Sequence, residues 1–161
     1  MSAAGDIAAR EAAIVEEFAL FDDWMDKYEH IIELGRDLAA IDERHKDEEH
    51  RIRGCQSQVW LHAEPSGERL RFTADSDAVI TKGLVSLVVR VLDDQPAAEI
   101  ATADLTFVDA IGLHDHLSPT RSNGLRAMVK QMRLYGIAQS VKQRAASAHD
   151  DGPPHQPTGD E

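Results

Sequence analysis

One thiol is available to this chain for chemistry. Cys55 is the single cysteine among 161 residues, and it sits in the run Arg51-Ile52-Arg53-Gly54-Cys55-Gln56-Ser57-Gln58-Val59-Trp60-Leu61. A glycine before it and strand-like alternation after it predict a flexible loop that presents the thiol to a reaction partner. A thiol reacts as its thiolate, and neighbouring cations lower its pKa from about 8.5; Arg51 and Arg53 stand in sequence where they could do so. The commoner fate of a lone cysteine is burial as a small inert hydrophobe. Arg53, Gly54, Gln56, Ser57 and Gln58 are poor neighbours for that. Without a second cysteine the chain cannot resolve a mixed disulfide internally, so a carrier that hands its adduct on fits better than a dithiol oxidoreductase.

Other reactive side chains offer less. His45, His50 and His62 could each be proposed as a base for Cys55, but none has a recognisable orienting partner, and no oxyanion site for a cysteine–histidine hydrolase is evident. His114 and His116 flank Asp115 at a spacing that, without a further close ligand, reads as a surface loop rather than a metal site. The sequence assigns no metal and no bound cofactor. Asp75 and Asp77 read most simply as helix caps, with contact to a basic partner surface as a second reading, and Trp60 as a core residue.

The elements that must hold the thiol follow from periodicity. Ile7, Ile14, Val15, Phe18 and Ala19 predict a first amphipathic helix over residues 7–20. Asp22 and Asp23 offer a new cap, and Trp24, Tyr28, Ile31, Ile32 and Leu38 follow on one helical face, with Gly35 ending or weakening the last turn. Residues 42–50 hold no apolar side chain and read as a solvated connector. Alternation at 58–63 and 70–74, with Pro65-Ser66-Gly67 between, predicts a hairpin whose loop is slightly longer than two residues. Asp75-Ser76-Asp77 then supplies caps for a buried central helix from about Ala78 to Leu92. Short helices are expected from Pro96 to Ile100 and from Phe107 to Ile111, and a loop over Gly112 to Leu117. Ser118-Pro119 should start a last helix carrying Leu125, Met128, Val129 and Met132.

The sum is an α+β single domain over residues 1–144, a small antiparallel sheet with helices packed on one face, followed by a disordered acidic tail at 145–161. A net charge of −12, from 17 basic and 29 acidic residues, argues against nucleic acid or an anionic membrane as the main partner. The longest apolar run, Gly83 to Leu92, is too short to span a bilayer. No signal-peptide pattern opens the chain, so a cytoplasmic protein is expected.

Gly54-Cys55-Gln56-Ser57-Gln58-Val59-Trp60 resembles the signature of the SufE/CsdE family of sulfur acceptors. The resemblance extends through Trp24, Tyr28 and Ile31-Ile32-Glu33-Leu34-Gly35, through Asp75-Ser76-Asp77-Ala78 and Lys82-Gly83-Leu84, to Leu117-Ser118-Pro119-Thr120-Arg121-Ser122-Asn123-Gly124-Leu125 with Met128. The chain differs from the family pattern in carrying Ala39 where proline is frequent, and in a more heavily charged connector before the cysteine.

This resemblance implies a scaffold similar to the cluster-assembly protein IscU. It implies that Cys55 takes a persulfide sulfur from a cysteine desulfurase of the SufS/CsdA kind, stimulates that enzyme, and passes the sulfur to an iron–sulfur cluster scaffold complex. The covalent persulfide would be the intermediate, and pyridoxal phosphate would belong to the partner. Gly54, Gln56, Arg51, Arg53 and Arg121 would support the thiol. Arg121 is open to two readings: stabilising the sulfur anion or contacting the partner, against a solvated first-turn residue. A thiol-independent adaptor that only binds the desulfurase is the alternative function.

Overall fold

The computed structural model describes the backbone of residues 3–150 and the side chains of residues 6–147. Its centre is a helix that has almost no solvated face. In α3 (Val79–Leu92), Ile80, Leu84, Val85, Leu87, Val88, Val91 and Leu92 are all buried, and Ser86, Thr81 and Gly83 with them. Each large apolar side chain removed from water contributes about 1.5–3 kcal/mol, so this segment is stable only if other elements cover it on all sides.

Those elements come in chain order. The first two helices are α1 (Ala3–Phe18) and α2 (Trp24–Arg36), followed by a 3-10 turn at Glu43–His45. The hairpin β1 (Val59–Ser66) and β2 (Arg69–Ser76) precedes α3, and β3 (Gln95–Pro96), α4 (Ala97–Ala101), α5 (Phe107–Ala110), α6 (Leu113–His116) and α7 (Pro119–Asp150) follow it. The sheet is antiparallel in the order β1-β2-β3, with Leu61 opposite Ala74 and Val59 opposite Ser76. Val59, Leu61, Leu70, Phe72 and Ala74 form its buried face, and the helices pack there, as expected for the α+β class. Among the described residues no helix is long and apolar enough to cross a membrane.

Two devices join the N-terminal helices to α3. Where α2 crosses α3, a Cβ on Gly83 would overlap the Ile31 carbonyl oxygen, and one on Gly35 would lie 2.7 Å from the Gly83 nitrogen. Gly35 therefore serves helix contact, not helix termination; the helix ends one residue later, at Arg36. Nearby, both Glu17 oxygens accept from the Arg90 guanidinium at 3.0 and 3.1 Å, and His30 Nε2 lies 2.6 Å from the same carboxylate. This arrangement satisfies the one long cation that α3 carries near its end.

Several expectations are corrected. The hairpin turns on Gly67 and Glu68 alone, with Gly67 at φ 64°, so Pro65 and Ser66 belong to β1. Proline is tolerated there because β1 is the edge strand at that end. Asp75 and Asp77 do not cap α3, whose N-cap Ala78 makes no side-chain cap bond; Asp75 instead pairs with Lys46 at 2.8 Å and Lys82 at 3.3 Å. Trp60 lies on the face of β1 opposite the core, partly exposed, with the Lys46 ammonium 5.7 Å from its ring. Leu113–His116 is a helical turn, not a loop.

Ser118 does begin the last helix, its Oγ accepting from the Arg121 N–H at 3.2 Å. That helix runs on through Asp150, taking in the first six residues of the expected tail, because Ala145, Ala146 and Ala148 are strong helix formers and the next proline is Pro153. The remainder of the expected tail, 151–161, lies outside the described residues.

Gly83→Ala should destabilise the protein by about 3 kcal/mol, the upper part of the overpacking range, because its new methyl meets the Ile31 backbone as well as that buried residue's Cγ2, and the backbone cannot turn aside; urea unfolding measures this. The hydrogen bond from Arg90, supported by His30, holds the Glu17 carboxyl below its ordinary pKa. The folded state therefore binds the proton less readily than the unfolded chain, and the stabilisation is complete above the ordinary glutamate range of about 4.3 and lost as pH falls through the lower folded value. Glu17→Gln should lower the urea midpoint at pH 7, and the difference from wild type should close in acid.

Candidate functional site

The thiol loop is clamped at both feet. At its start, Ile52 N–H donates to the Val59 carbonyl at 2.8 Å, while Leu61 N–H donates to His50 O at 2.9 Å, so residues 50–52 run along the edge of β1. At its end, Gln58 N–H donates to Asp77 Oδ1 at 3.0 Å and Asp77 N–H returns to Gln58 O at 3.2 Å. Asp77, expected as a cap, thus fixes the loop to the hairpin.

Between these feet the loop turns toward α7. Gly54 takes φ 94°, a conformation that side chains disfavour, and a Cβ there would also come within 3.2 Å of Ala127 Cβ. Cys55 Sγ lies 3.5 Å from the Gly124 carbonyl oxygen, to which the thiol donates. Gly124 has no side chain to interpose: a Cβ would fill the space 3.5 Å from the sulfur. Gly124 thus lets α7 approach the loop closely, and its carbonyl is the thiol's polar partner.

The sulfur opens onto a cleft of about 310 Å³ whose walls include Gln56 and Ser57 of the loop, Thr81 and Leu84 of α3, and Thr120 and Arg121 of α7. Cys55 is half-buried, and that burial pushes its thiol pKa up. This reverses the expected effect of the two neighbouring arginines. Arg51 turns to Glu48 at 3.2 Å, and Arg53 is exposed with no ion pair among the described residues. Arg121, far from the cysteine along the chain, is the predicted cation that shares the cleft with the sulfur, and it too makes no ion pair among the described residues. Gly54 shapes the loop and Gln56 lines the cleft.

No histidine hydrogen-bonds to Cys55 among the described residues. His45 and His62 stack on one another with ring centres 3.7 Å apart, and His50 Nδ1 lies 2.7 Å from Asp47. A nucleophile–base pair for a cysteine–histidine hydrolase is therefore not assembled here. His114 and His116 also go separate ways, the first toward Asp109 and Ser122, the second stacked on Trp24 at 4.0 Å.

Comparison with known proteins gives a consistent set of matches. The family described as SufE, Fe-S metabolism associated domain, matches residues 12–135. An uncharacterized SufE-like protein of Rhizobium etli is 42% identical over 139 residues, covering 83% of this chain and 90% of its own length. A second uncharacterized SufE-like protein, from Rhizobium meliloti, is 39% identical over 125 residues, covering 74% and 89%. The chloroplastic/mitochondrial SufE-like protein 1 of Arabidopsis thaliana is 38% identical over 130 residues, which are 80% of this chain and 35% of that longer one. In structure, a hypothetical protein from Thermus thermophilus, solved in solution, shares the fold with a TM-score of 0.69 at 17% identity, over 82% of this chain and 96% of that one. With this family match over most of the folded residues and the Rhizobium relatives aligned along nearly their whole length, the chain belongs to the SufE family of iron–sulfur metabolism.

Proposed function

We propose that Cys55 accepts persulfide sulfur from a cysteine desulfurase and carries it to an iron–sulfur cluster assembly complex. One observation carries this reading: the single thiol of a chain in this family lines an open cleft together with Arg121, which makes no ion pair among the described residues, instead of being sealed in the core. The Cys55 thiolate attacks the outer sulfur of the desulfurase cysteine persulfide. A bond forms between Cys55 Sγ and that sulfur, the sulfur–sulfur bond within the partner breaks, and the partner cysteine leaves as a thiolate. No net oxidation occurs, and the exchange follows the rules of thiol–disulfide chemistry.

This chain's residues act on access and charge. The Gly124 carbonyl holds the resting thiol as a hydrogen-bond donor, which favours the protonated, unreactive form. Arg121, which lines the same cleft, supplies a positive charge for the anion formed when the loop shifts or the sulfur is extended by one atom. Pyridoxal phosphate belongs to the desulfurase. A reducing cytoplasm suits a lone acceptor thiol, since it keeps Cys55 free between cycles.

Intact mass after incubation with a loaded desulfurase and free cysteine tests the reading. Wild type should gain one sulfur atom, removable by reductant, and Cys55→Ser should gain none. If Cys55→Ser still stimulates alanine release by the desulfurase as well as wild type does, the protein is a thiol-independent adaptor and the carrier reading fails. Alkylation of the free protein by iodoacetamide should be slow at pH 7 and rise with a midpoint above the ordinary thiol value, since burial raises the Cys55 pKa. Gly54→Ala, which disfavours the loop's left-handed turn, should speed that alkylation.

A further inference from the structure

On the edge of the sheet three imidazoles converge that the sulfur-transfer reading does not use. His45 comes from the 3-10 turn, His50 from the end of the connector and His62 from β1. Their ring nitrogens offer one ligand atom each, all within 4.8 Å of one another. His45 and His62 are stacked at 3.7 Å and 7°, and the His50 ring is 4.7 Å from His45 and 5.4 Å from His62. All three are partly buried.

Packing alone gives little reason for this gathering. Among the described residues neither His45 nor His62 has a side-chain hydrogen bond or an ion pair. Among the described residues the ring nitrogens of His45 and His62 are thus uncommitted, and imidazole nitrogens are the commonest protein ligands for metal. His50 is already oriented as a ligand would be: its Nδ1 is held by Asp47 Oδ1 at 2.7 Å, and the same oxygen accepts the His50 backbone N–H at 3.0 Å. A carboxylate on one imidazole nitrogen fixes the ring and leaves Nε2 to face a metal, the usual outer support of a metal-bound histidine. The surrounding segment carries Asp42, Glu43, Asp47, Glu48 and Glu49 interleaved with Arg44, Lys46, Arg51 and Arg53, so the ligand nitrogens and not a net local charge would hold the ion.

We propose that His45, His50 and His62 bind a divalent transition-metal ion of the nitrogen-preferring class, such as zinc, with Asp47 positioning His50. Zinc–nitrogen distances of about 2.0–2.1 Å in a tetrahedral site set the nitrogens about 3.3–3.4 Å apart, so the rings need to close by roughly an ångström, turning out of their stack about Cβ–Cγ. Three protein ligands leave the fourth position to water. The backbone that carries the ligands is already fixed: Leu61 N–H donates to His50 O beside His62, and Lys46, next to His45, is tied to Asp75 at 2.8 Å. A bound ion would therefore cross-link the 3-10 turn, the connector that leads to Cys55, and β1. The sequence hid the site because its three histidines are separated by 5 and 12 positions, with no compact ligand motif.

Titration of the full chain with zinc against a chromophoric chelator tests the proposal. Wild type should bind one zinc ion at this site. His45→Gln and His62→Gln should abolish that binding while circular dichroism stays unchanged. Asp47→Asn should weaken it about 10- to 100-fold, and Cys55→Ser should leave it intact. On unmodified protein, zinc should shift the ring signals of His45, His50 and His62 in ¹H–¹⁵N spectra and leave those of His114 and His116 in place, a readout that does not depend on any variant folding. Absence of one-to-one binding would overturn the proposal. So would binding that survives His45→Gln and His62→Gln, binding lost on Cys55→Ser, or binding lost on Glu49→Gln but kept in His62→Gln, which would place the ion on the neighbouring Asp47, Glu49 and His50 group.

Discussion

Everything in this fold answers to the burial of α3. A helix with apolar side chains around nearly its whole circumference cannot sit on the outside of a sheet; it must be covered by the hairpin, by α2, by α7 and by the end of α1. Covering it from α2 requires two glycines at one crossing, because the helix backbones meet with no room for a methyl group. The elements that cover its first turns are also those that bear the chemistry. Thr81 and Leu84 of α3, the thiol loop from the hairpin and the start of α7 close on one another there. The cleft beside Cys55 is the gap left where three covering elements meet at the end of a buried rod.

At that gap two demands oppose each other. An acceptor thiol reacts faster as an anion, and burial disfavours the anion. The structure sets the resting state on the side of shelter: Cys55 is half-buried, its thiol donates to a carbonyl, Arg51 pairs with Glu48, and Arg53 is exposed. Arg121, which belongs to a different element, lines the same cleft as the sulfur. In the proposed transfer, shelter and activation would then fall to different parts of the fold, and a displacement of the loop would exchange one for the other.

Much of this was legible in the sequence. The hydrophobic periodicity of α3, the alternation of the hairpin strands and the Ser118-Pro119 start of α7 are local signals, and each corresponds to an observed element. The loop position of Cys55 was legible for the same reason. What was not legible depended on partners distant in sequence. Asp75 and Asp77 look like caps because they precede a helix, yet Lys46 and the Gln58 amide compete for them and win. Arg51 looks like a thiol neighbour, yet Glu48 lies three residues away on the same turn. Gly35 looks like a helix end until Gly83 is seen against it. The three histidines at the sheet edge look unrelated until the connector folds back along β1.

The clamps on the thiol loop set a length scale for the whole reaction. With Ile52 bonded to Val59, and Gln58 bonded to Asp77, only residues 53–57 lie between the clamps, and Cys55 stands at the middle of them. Half of so short a leash, fully extended, spans about 10 Å. The sulfur can therefore leave its cleft by little more than the width of a helix, and in the proposed transfer a donor or recipient would have to bring its own reactive atom inside that radius. Selectivity among the many thiols of a cell would then come less from the reactivity of Cys55 than from which surfaces can approach this end of the fold closely enough to be touched.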